Sequence, residues 1–137
     1  MIPQVATGKA GGPVLAGLLA SPDVDCVLRR ALREAETRST TVAVLATGPA
    51  ARHDHDSEVR EQVTRWSDKY PDVTVTVTRQ PGLDPAIALT AGTTGCVLAV
   101  VAQPAGPRAG AIVSSLVRRA HCPVVVLPSG IPEGESR

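Results

Sequence analysis

Residues 13–36 read "PVLAGLLASPDVDCVLRRALREAE", the pattern of a buried strand followed by a short turn and a helix. The apolar run at 14–19 predicts the strand. Ser21 is placed to cap the helix, and Pro22 suits its first helical position. The residues that follow are apolar at helical spacing, which predicts a buried face formed by Val24, Val27, Leu28, Ala31, Leu32 and Ala35. A strand that runs directly into an amphipathic helix is the repeating unit of a sheet covered by helices.

The rest of the chain repeats this alternation. We predict further strands at 41–47, 72–80, 96–102 and Val124–Leu127, with helices between them, the last from about Gly110 to Ala120. The third strand, "DVTVTVTRQ", alternates valine with polar residues, which indicates an edge strand with one polar face, whereas the fourth is apolar throughout and should be buried on both faces. Right-handed crossovers then give a single-domain, doubly wound α/β fold with a five-stranded parallel sheet in the order 3-2-1-4-5.

Composition supports one domain with an aliphatic core. The chain has 137 residues, 43% of them hydrophobic, and it contains no Phe. That length suffices for a single core. We expect a flexible amino-terminal tail at 1–12, the folded domain at 13–128 and a disordered carboxyl-terminal tail at 129–137.

Charge and cysteine content exclude several classes of protein. A net charge of +1 gives no long-range field for nucleic acid or an anionic membrane. No apolar run approaches the ~18 residues of a membrane span. The three cysteines lack a CxxC spacing, which argues against a zinc site or a secreted disulfide framework. Lys9 and the apolar run after it resemble a signal peptide, but the run is short and no A-x-A site precedes Ser21. We therefore expect a cytoplasmic protein without nucleic-acid or membrane partners.

Three segments of the chain resemble the universal stress proteins. They are "VLAGLLASPD" at the first strand, "LDPAIALTA" at the third helix and "GAIVSSLVRRAHCPVVVLP" near the end. In that family the corresponding motifs look like V-L-V-G-V-D-G-S, G-D-P-A-x-A-L, and G-S-V-S followed by a helix and C-P-V-L-V-V. The resemblance implies the same fold and a stress-related role, and a nucleotide site in those members that bind ATP.

The end of the first strand departs from the ATP-binding pattern. ATP-binding members of the family have Asp there, followed by a small Gly. This chain has Leu19 and Ala20 at those positions. The change removes a hydrogen-bond acceptor from the expected crevice beyond the first and fourth strands, where doubly wound sheets bind ligands.

The phosphate loop departs as well. The family pattern after the fourth strand is Gly-x2-Gly-x9-Gly-Ser/Thr. Here Ala102 and Ala105 take the first two glycine positions, Gly110 the third and Ala111 the hydroxyl position, with only four residues between Ala105 and Gly110. A Cβ obstructs both the backbone approach to phosphates and a positive φ. We therefore expect no ATP binding and no cofactor. The alternative is a degenerate site that still holds ATP or a related molecule. Free N–H groups at Gly110 and Ala111 could also bind a phosphate or sulfate.

Other chemistry-bearing residues do not form a convincing site. His53, Asp54, His55 and Asp56 have the composition of a metal site, and a metal-dependent hydrolase is the alternative that they suggest, but neighbouring loop residues rarely converge on one ion. We expect a solvated loop. "TGKAGG" lacks the first glycine and the hydroxyl of a Walker loop.

The serines and the last histidine give no catalytic arrangement either. Ser114 and Ser115 have no recognisable His and acidic partners, and His121 and Cys122 should face opposite ways. The sequence predicts no enzyme activity.

We therefore expect a non-catalytic universal-stress-type module that acts through protein contacts in a stress response. The last strand, Val124–Leu127, is an uncharged apolar edge, and universal stress proteins resembling this one often pair it with its copy, which implies a homodimer. A carboxyl-terminal tail folded over that edge is the alternative. Cys96 and Cys122 lie at the starts of neighbouring strands, within disulfide range, but free thiols are expected in a reducing cytoplasm.

Overall fold

The structure is a computed structural model that describes residues 12–19, 24–103 and 107–128. Apart from residue 12, the predicted amino-terminal tail and the "TGKAGG" run lie outside these ranges, and so does the carboxyl-terminal tail at 129–137. The expected helix cap at Ser21 and Pro22 and two expected site positions, Ala20 and Ala105, also lie outside them. The domain boundaries therefore stay predictions.

The described residues form five strands, four α-helices and two short 3-10 turns. In chain order the elements are β1 (Val14–Leu18), α1 (Val24–Arg38), β2 (Val42–Thr47), 3-10 turns at Gly48–Ala51 and His53–His55, α2 (Asp56–Ser67), β3 (Val75–Gln80), α3 (Pro85–Gly92), β4 (Leu98–Ala102), α4 (Pro107–Arg119) and β5 (Val124–Leu127).

The predicted sheet is confirmed. All strand pairs are parallel, and the order is β3-β2-β1-β4-β5. The six apolar positions predicted for the first helix are its buried residues. β3 alternates half-buried and exposed residues, as an edge strand with one polar face should. β4 is buried along its whole length.

The two faces of the sheet carry separate apolar clusters. We call the first the α1-face core; it contains Ala16, Leu18, Val100 and the buried residues of α1 and α2. The second, the α4-face core, contains Leu15, Leu89 of α3, and Val113 and Leu116 of α4. Successive strand residues point to opposite faces, so even-numbered residues of β1 enter the first core and odd-numbered ones the second.

Several element boundaries differ from the expectation: β1 ends one residue earlier, at Leu18, and β2 and β3 begin at Val42 and Val75 rather than at 41 and 72. β4 begins at Leu98 rather than at 96, because the backbone amide of Cys96 still bonds Thr93 O at 3.0 Å in the turn after α3. The last helix begins at Pro107, three residues before the expected start at Gly110. Pro is favoured at a first helical position, where its missing N–H costs nothing.

Among the described residues, no helix combines the length and the apolar character needed to cross a membrane.

Candidate functional site at the carboxyl ends of β1 and β4

The predicted crevice lies where two neighbouring strands diverge. β1 pairs with β4 only from Val14 to Ala16, whereas it pairs with β2 along its full length to Leu18. β4 continues to Ala102 beside β5. The carboxyl ends of β1 and β4 therefore separate, as expected where successive connections leave a parallel sheet in opposite directions.

Leu19 does not face this crevice as a ligand-binding residue. Its exposed fraction is 6%, and it belongs to the α4-face core with Leu89 and Val113. Packing beside it is dense, since a Cβ added at Gly17 would lie 2.7 Å from Leu89 Cδ2 and 2.9 Å from Val101 Cγ1. The position where ATP-binding relatives are expected to have a carboxylate is thus part of the hydrophobic core.

Backbone acceptors at the end of β1 are also occupied. The Thr47 hydroxyl donates to Leu18 O at 3.1 Å, and the Ala50 amide donates to Leu19 O at 3.3 Å. Thr47 is completely buried. The chain turns back toward β1 at Gly48, whose φ of +53° is readily adopted only by glycine. The turn after β2 therefore closes the end of β1.

β4 and α4 form the opposite wall. Ala102 is 4% exposed, and it belongs to the α1-face core, on the other side of the sheet from Leu19. The Gln103 amide donates to Leu127 O at 2.8 Å. The Gln103 side chain lies against α4, since a Cβ at Gly110 would be 3.4 Å from Gln103 Nε2.

The early start of α4 changes the expected anion site. In an α-helix that begins at Pro107, the amide of Ala111 reaches the Pro107 carbonyl four residues earlier, so it belongs to the helix rather than to its free end. Pro107 has no N–H. The expectation of a free N–H at Ala111 was therefore wrong, whereas the carbonyl that would accept from Gly110 belongs to residue 106, outside the described residues.

Of the six expected positions, Ala20 and Ala105 lie outside the described residues, and the structure does not bring the other four into one polar site. Leu19 and Ala102 point to opposite faces, while Gly110 and Ala111 lie within α4. Sequence reasoning missed Thr47, whose hydroxyl donates to Leu18 O at the end of β1. The signal for it was a hydroxyl residue directly before a glycine at the end of an apolar strand.

The His/Asp run adopts an ordered conformation rather than a plain loop. His53–His55 forms a 3-10 turn, and Asp56 begins α2. The Asp56 carboxylate lies 3.2 Å from Arg60 Nε and 3.5 Å from Arg79 Nε. Asp54 lies 3.3 Å from Arg52. Within the part of the chain that the structure describes, no three His, Cys, Asp or Glu side chains come together as a metal site. Arg52, Arg60 and Arg79 lie close enough to these carboxylates to neutralise them.

The cysteines carry free thiols. The Cys96 thiol donates to Gly92 O at 3.1 Å. Burial, with a smaller contribution from the nearby Cys122, raises the pKa of Cys96 to about 11, and burial also raises the pKa of Cys122. Because the thiolate is the reactive form, both cysteines are poor nucleophiles near neutral pH. His121 is exposed, and its backbone amide donates to Thr93 Oγ1 at 3.0 Å.

Comparison with known proteins places this architecture. No protein-family model matches the sequence, and no curated protein matches it significantly. Solved structures do match. A universal stress protein from Archaeoglobus fulgidus in complex with dAMP has a TM-score of 0.62 at 18% identity, over 86% of this chain and 98% of that one. A universal stress protein in complex with cAMP gives 0.61 at 13% identity, over 88% and 99%.

A third structure agrees with these two. A member of the universal stress protein family from Burkholderia pseudomallei gives a TM-score of 0.58 at 20% identity, covering 89% of this chain and 99% of the other. The three likenesses extend over nearly the whole length of each relative, and the strand order is the one deduced above. This chain therefore has the fold of the universal stress proteins.

Proposed function

We propose that this protein is a cytoplasmic, non-catalytic universal-stress-type module that does not bind ATP and acts through protein contacts in a stress response, as a homodimer. The observation that carries the proposal is the burial of Leu19, 6% exposed, in the α4-face core. A nucleotide at the end of β1 would meet an apolar side chain packed among other apolar side chains.

Loss of polar partners argues further against ATP. The acceptors at the end of β1 are engaged by Thr47 and Ala50, and α4 begins with a residue that has no N–H. Ala102 has a Cβ where the family pattern has glycine. A site that recognises a ligand through hydrogen bonds loses most of its discrimination when those groups are removed.

A second candidate is a nucleotide-binding stress regulator with a degenerate phosphate loop. It is favoured by one observation, that two proteins of the same fold were solved with dAMP and with cAMP. In this chain Gln103 could supply one polar group beside α4. The two candidates differ in whether any adenine nucleotide stabilises the fold.

Thermal unfolding with millimolar ATP and Mg²⁺, and separately with dAMP and cAMP, distinguishes them. Ligand at 100 times its dissociation constant adds about 2.7 kcal/mol, which raises the Tm of a domain of this size by several degrees. We expect no measurable rise with any nucleotide, and Mg²⁺ with inorganic phosphate is the control. A rise of several degrees with one nucleotide would favour the second candidate. The double substitution Ala102→Gly with Ala105→Gly should not create binding, since Leu19 is unchanged.

The homodimer is proposed through the open edge of β5. Val126 is 37% exposed there, and Val117 on the neighbouring α4 is 52% exposed. The Ala99 amide bonds Pro123 O and the Gln103 amide bonds Leu127 O. Since bonds alternate along a parallel ladder, the amides of Val125 and Leu127 face β4, and those of Val124 and Val126 face outward. An uncharged apolar edge with outward donors favours pairing with a second copy.

Light scattering at micromolar concentration tests this directly. We expect a dimer mass for the wild type and a monomer mass for Val126→Pro, because that change removes an outward donor without breaking a β4 bond. Val77→Pro, on the opposite edge strand β3, is the matched control and should remain dimeric. Circular dichroism verifies that both variants fold. A wild-type monomer mass that persists as the concentration rises would refute the dimer.

A further inference from the structure

A groove runs beside β3 on the side of the sheet that carries α3. We call it the β3 groove, and its volume is about 340 Å³. Its walls include Leu45, Thr78, Gln80, Leu83, Ala88 and Ala91. Among the described residues, no ionisable side chain lines it, and neither Leu19 nor Val126 belongs to its lining. The groove is therefore uncharged, largely apolar, and separate from the candidate site and the β5 edge.

Exposed apolar side chains border the β3 groove. Four large apolar side chains are exposed among the described residues. Val117 and Val126 belong to the proposed dimer edge, whereas Leu83 and Ile87 lie here, 42% and 58% exposed. Ile87 precedes the groove residue Ala91 by one helical turn, so the two share a side of α3. Apolar surface that stays in contact with water at an open groove favours an apolar occupant.

The β3 groove opens toward the edge of the sheet. α3 lies directly on β2, since a Cβ added at Gly92 would be 2.9 Å from Leu45 Cδ2. β3 is the outermost strand on this side, and its groove-side residues Thr76, Thr78 and Gln80 are exposed. An occupant that enters over these residues therefore lies beside the free edge of β3.

The free edge of β3 offers a row of hydrogen-bonding groups. The Val42 amide donates to Thr74 O at 3.0 Å, and Val42 is opposite Val75 in the sheet. Because bonds alternate along a parallel ladder, the amides and carbonyls of Val75, Val77 and Arg79 face away from β2. Their spacing of two residues matches an extended backbone. Pairing of a peptide with a sheet edge is a recurring mode of peptide recognition.

A second copy of this chain does not supply a matching strand through β3. A β3–β3 pair would place the copy's Thr76, Thr78 and Gln80 on the groove side, and these side chains are polar. β5 of a second copy is apolar, but pairing it with β3 would join two different edges and give open-ended chains instead of closed dimers. The fitting occupant is a strand that has apolar residues at alternate positions.

We propose that β3 accepts an extended peptide segment of a partner protein as a sixth strand, with an apolar side chain of that segment seated in the β3 groove. This inference rests on the proposed function, because it names the surface and the kind of partner for the expected protein contacts. The peptide backbone bonds the outward groups of Val75 and Val77. Its residue opposite Thr78 lies on the groove side, with its Cβ about 5 Å from that of Thr78. Uncharged lining makes that residue apolar rather than charged.

Peptide binding to the full chain tests the proposal. Peptides of about ten residues, long enough to span β3, are selected from a phage-displayed library against the wild type. The enriched peptide is labelled with fluorescein and titrated by fluorescence polarisation. Val77→Pro removes an outward donor, and Val126→Pro is the same change on the β5 edge. Ala91→Leu fills the groove from an exposed helical position, and Ala111→Leu, exposed on α4, is its control.

A second probe leaves the protein unchanged. Methylating alternate backbone nitrogens of the enriched peptide gives two versions, of which one loses the donors that face β3 and the other keeps them. Only the first should lose affinity. Circular dichroism verifies that each protein variant folds, and the two methylated peptides test strand pairing even where Val77→Pro does not fold.

We expect the enriched peptides to have apolar residues at alternate positions. Val77→Pro should weaken binding about two- to tenfold, as the loss of one backbone hydrogen bond does. Ala91→Leu should weaken it about tenfold or more, because the apolar side chain loses its burial. Both control variants should bind like the wild type.

The contrary outcomes separate the parts of the proposal. Failure to enrich any peptide, or equal binding by all variants, would overturn it. Weakening by Ala91→Leu alone would overturn strand pairing, and weakening by Val77→Pro alone would overturn the role of the groove. Self-association of the wild type that Val77→Pro abolishes would assign this edge to a second copy. A nucleotide-dependent rise in Tm would contradict the proposed function instead, and it leaves peptide binding unaffected.

Discussion

Replacing Leu19 with alanine tests whether the end of β1 is core or ligand site. The side chain is 6% exposed within the α4-face core. Truncating a buried leucine removes apolar burial and leaves a cavity, and such changes cost about 2–5 kcal/mol. We expect that loss in the free energy of unfolding, and a Tm lower by at least about 6 °C for a domain of this size. Urea unfolding followed by the fluorescence of the single tryptophan, Trp66, measures it.

The matched control is Leu83→Ala. Leu83 precedes α3 and is 42% exposed, so the same chemical change removes less buried surface. We expect a cost below about 1 kcal/mol, as is usual for exposed positions. If Leu19→Ala cost as little as Leu83→Ala, Leu19 would line an open crevice, and the argument against a nucleotide there would fail. If both variants unfolded at similar urea concentrations well below the wild type, the distinction between the two positions would also be refuted.

Three further outcomes follow from the ionisable groups. Asp56→Asn should lower the free energy of unfolding by less than about 1 kcal/mol, since the ion pairs of Asp56 with arginine are exposed or half-buried. Zn²⁺ should not raise the Tm of the wild type, and a zinc-dependent rise would support the metal-site hypothesis instead. The alkylation rate of Cys96 in the folded protein should keep rising with pH up to about 11, the raised pKa of its thiol. The free energy of unfolding should fall as pH rises from 9.0 towards that value, because the raised pKa favours the folded state only while the thiol is protonated. A hydrogen bond from Arg30 lowers the pKa of Glu34 below its ordinary 4.5, so Glu34→Gln should destabilise the protein above that pH. The difference in the free energy of unfolding between the variant and the wild type should vanish as pH falls through the lowered pKa. Urea titrations at several pH values measure it.

The fold could be predicted because its information is local. The valine–threonine alternation of β3 and the unbroken apolar run of β4 each report the surroundings of one strand, and both patterns appear in the burial of the structure. Strand order then followed from the right-handed crossover rule. In helix α1, the helical spacing of the apolar residues alone predicted every buried position.

The candidate site could not be predicted to the same depth because its contacts join distant residues. Thr47 bonds Leu18 O across 29 positions of sequence, and Arg79 reaches Asp56 from another element. No local pattern indicates either contact. The start of α4 was misplaced for a different reason: the sequence "QPAGPRA" is typical of a loop, but Pro107 within it is a favourable first residue of a helix.

Closure of the β1 end is a combined property of several residues, and this explains why a single substitution should not create a nucleotide site. Buried backbone carbonyls require partners, and here Thr47 and the Ala50 amide supply them where a ligand or water otherwise would. Leu19 fills the volume beside them. A carboxylate introduced at Leu19 would be desolvated among leucine and valine side chains, and the neighbouring Leu18 and Leu19 carbonyls are acceptors that cannot donate to it. A ligand would therefore have to displace the turn at Gly48 before it met the new acceptor, so the turn after β2 closes the β1 end as much as Leu19 itself does.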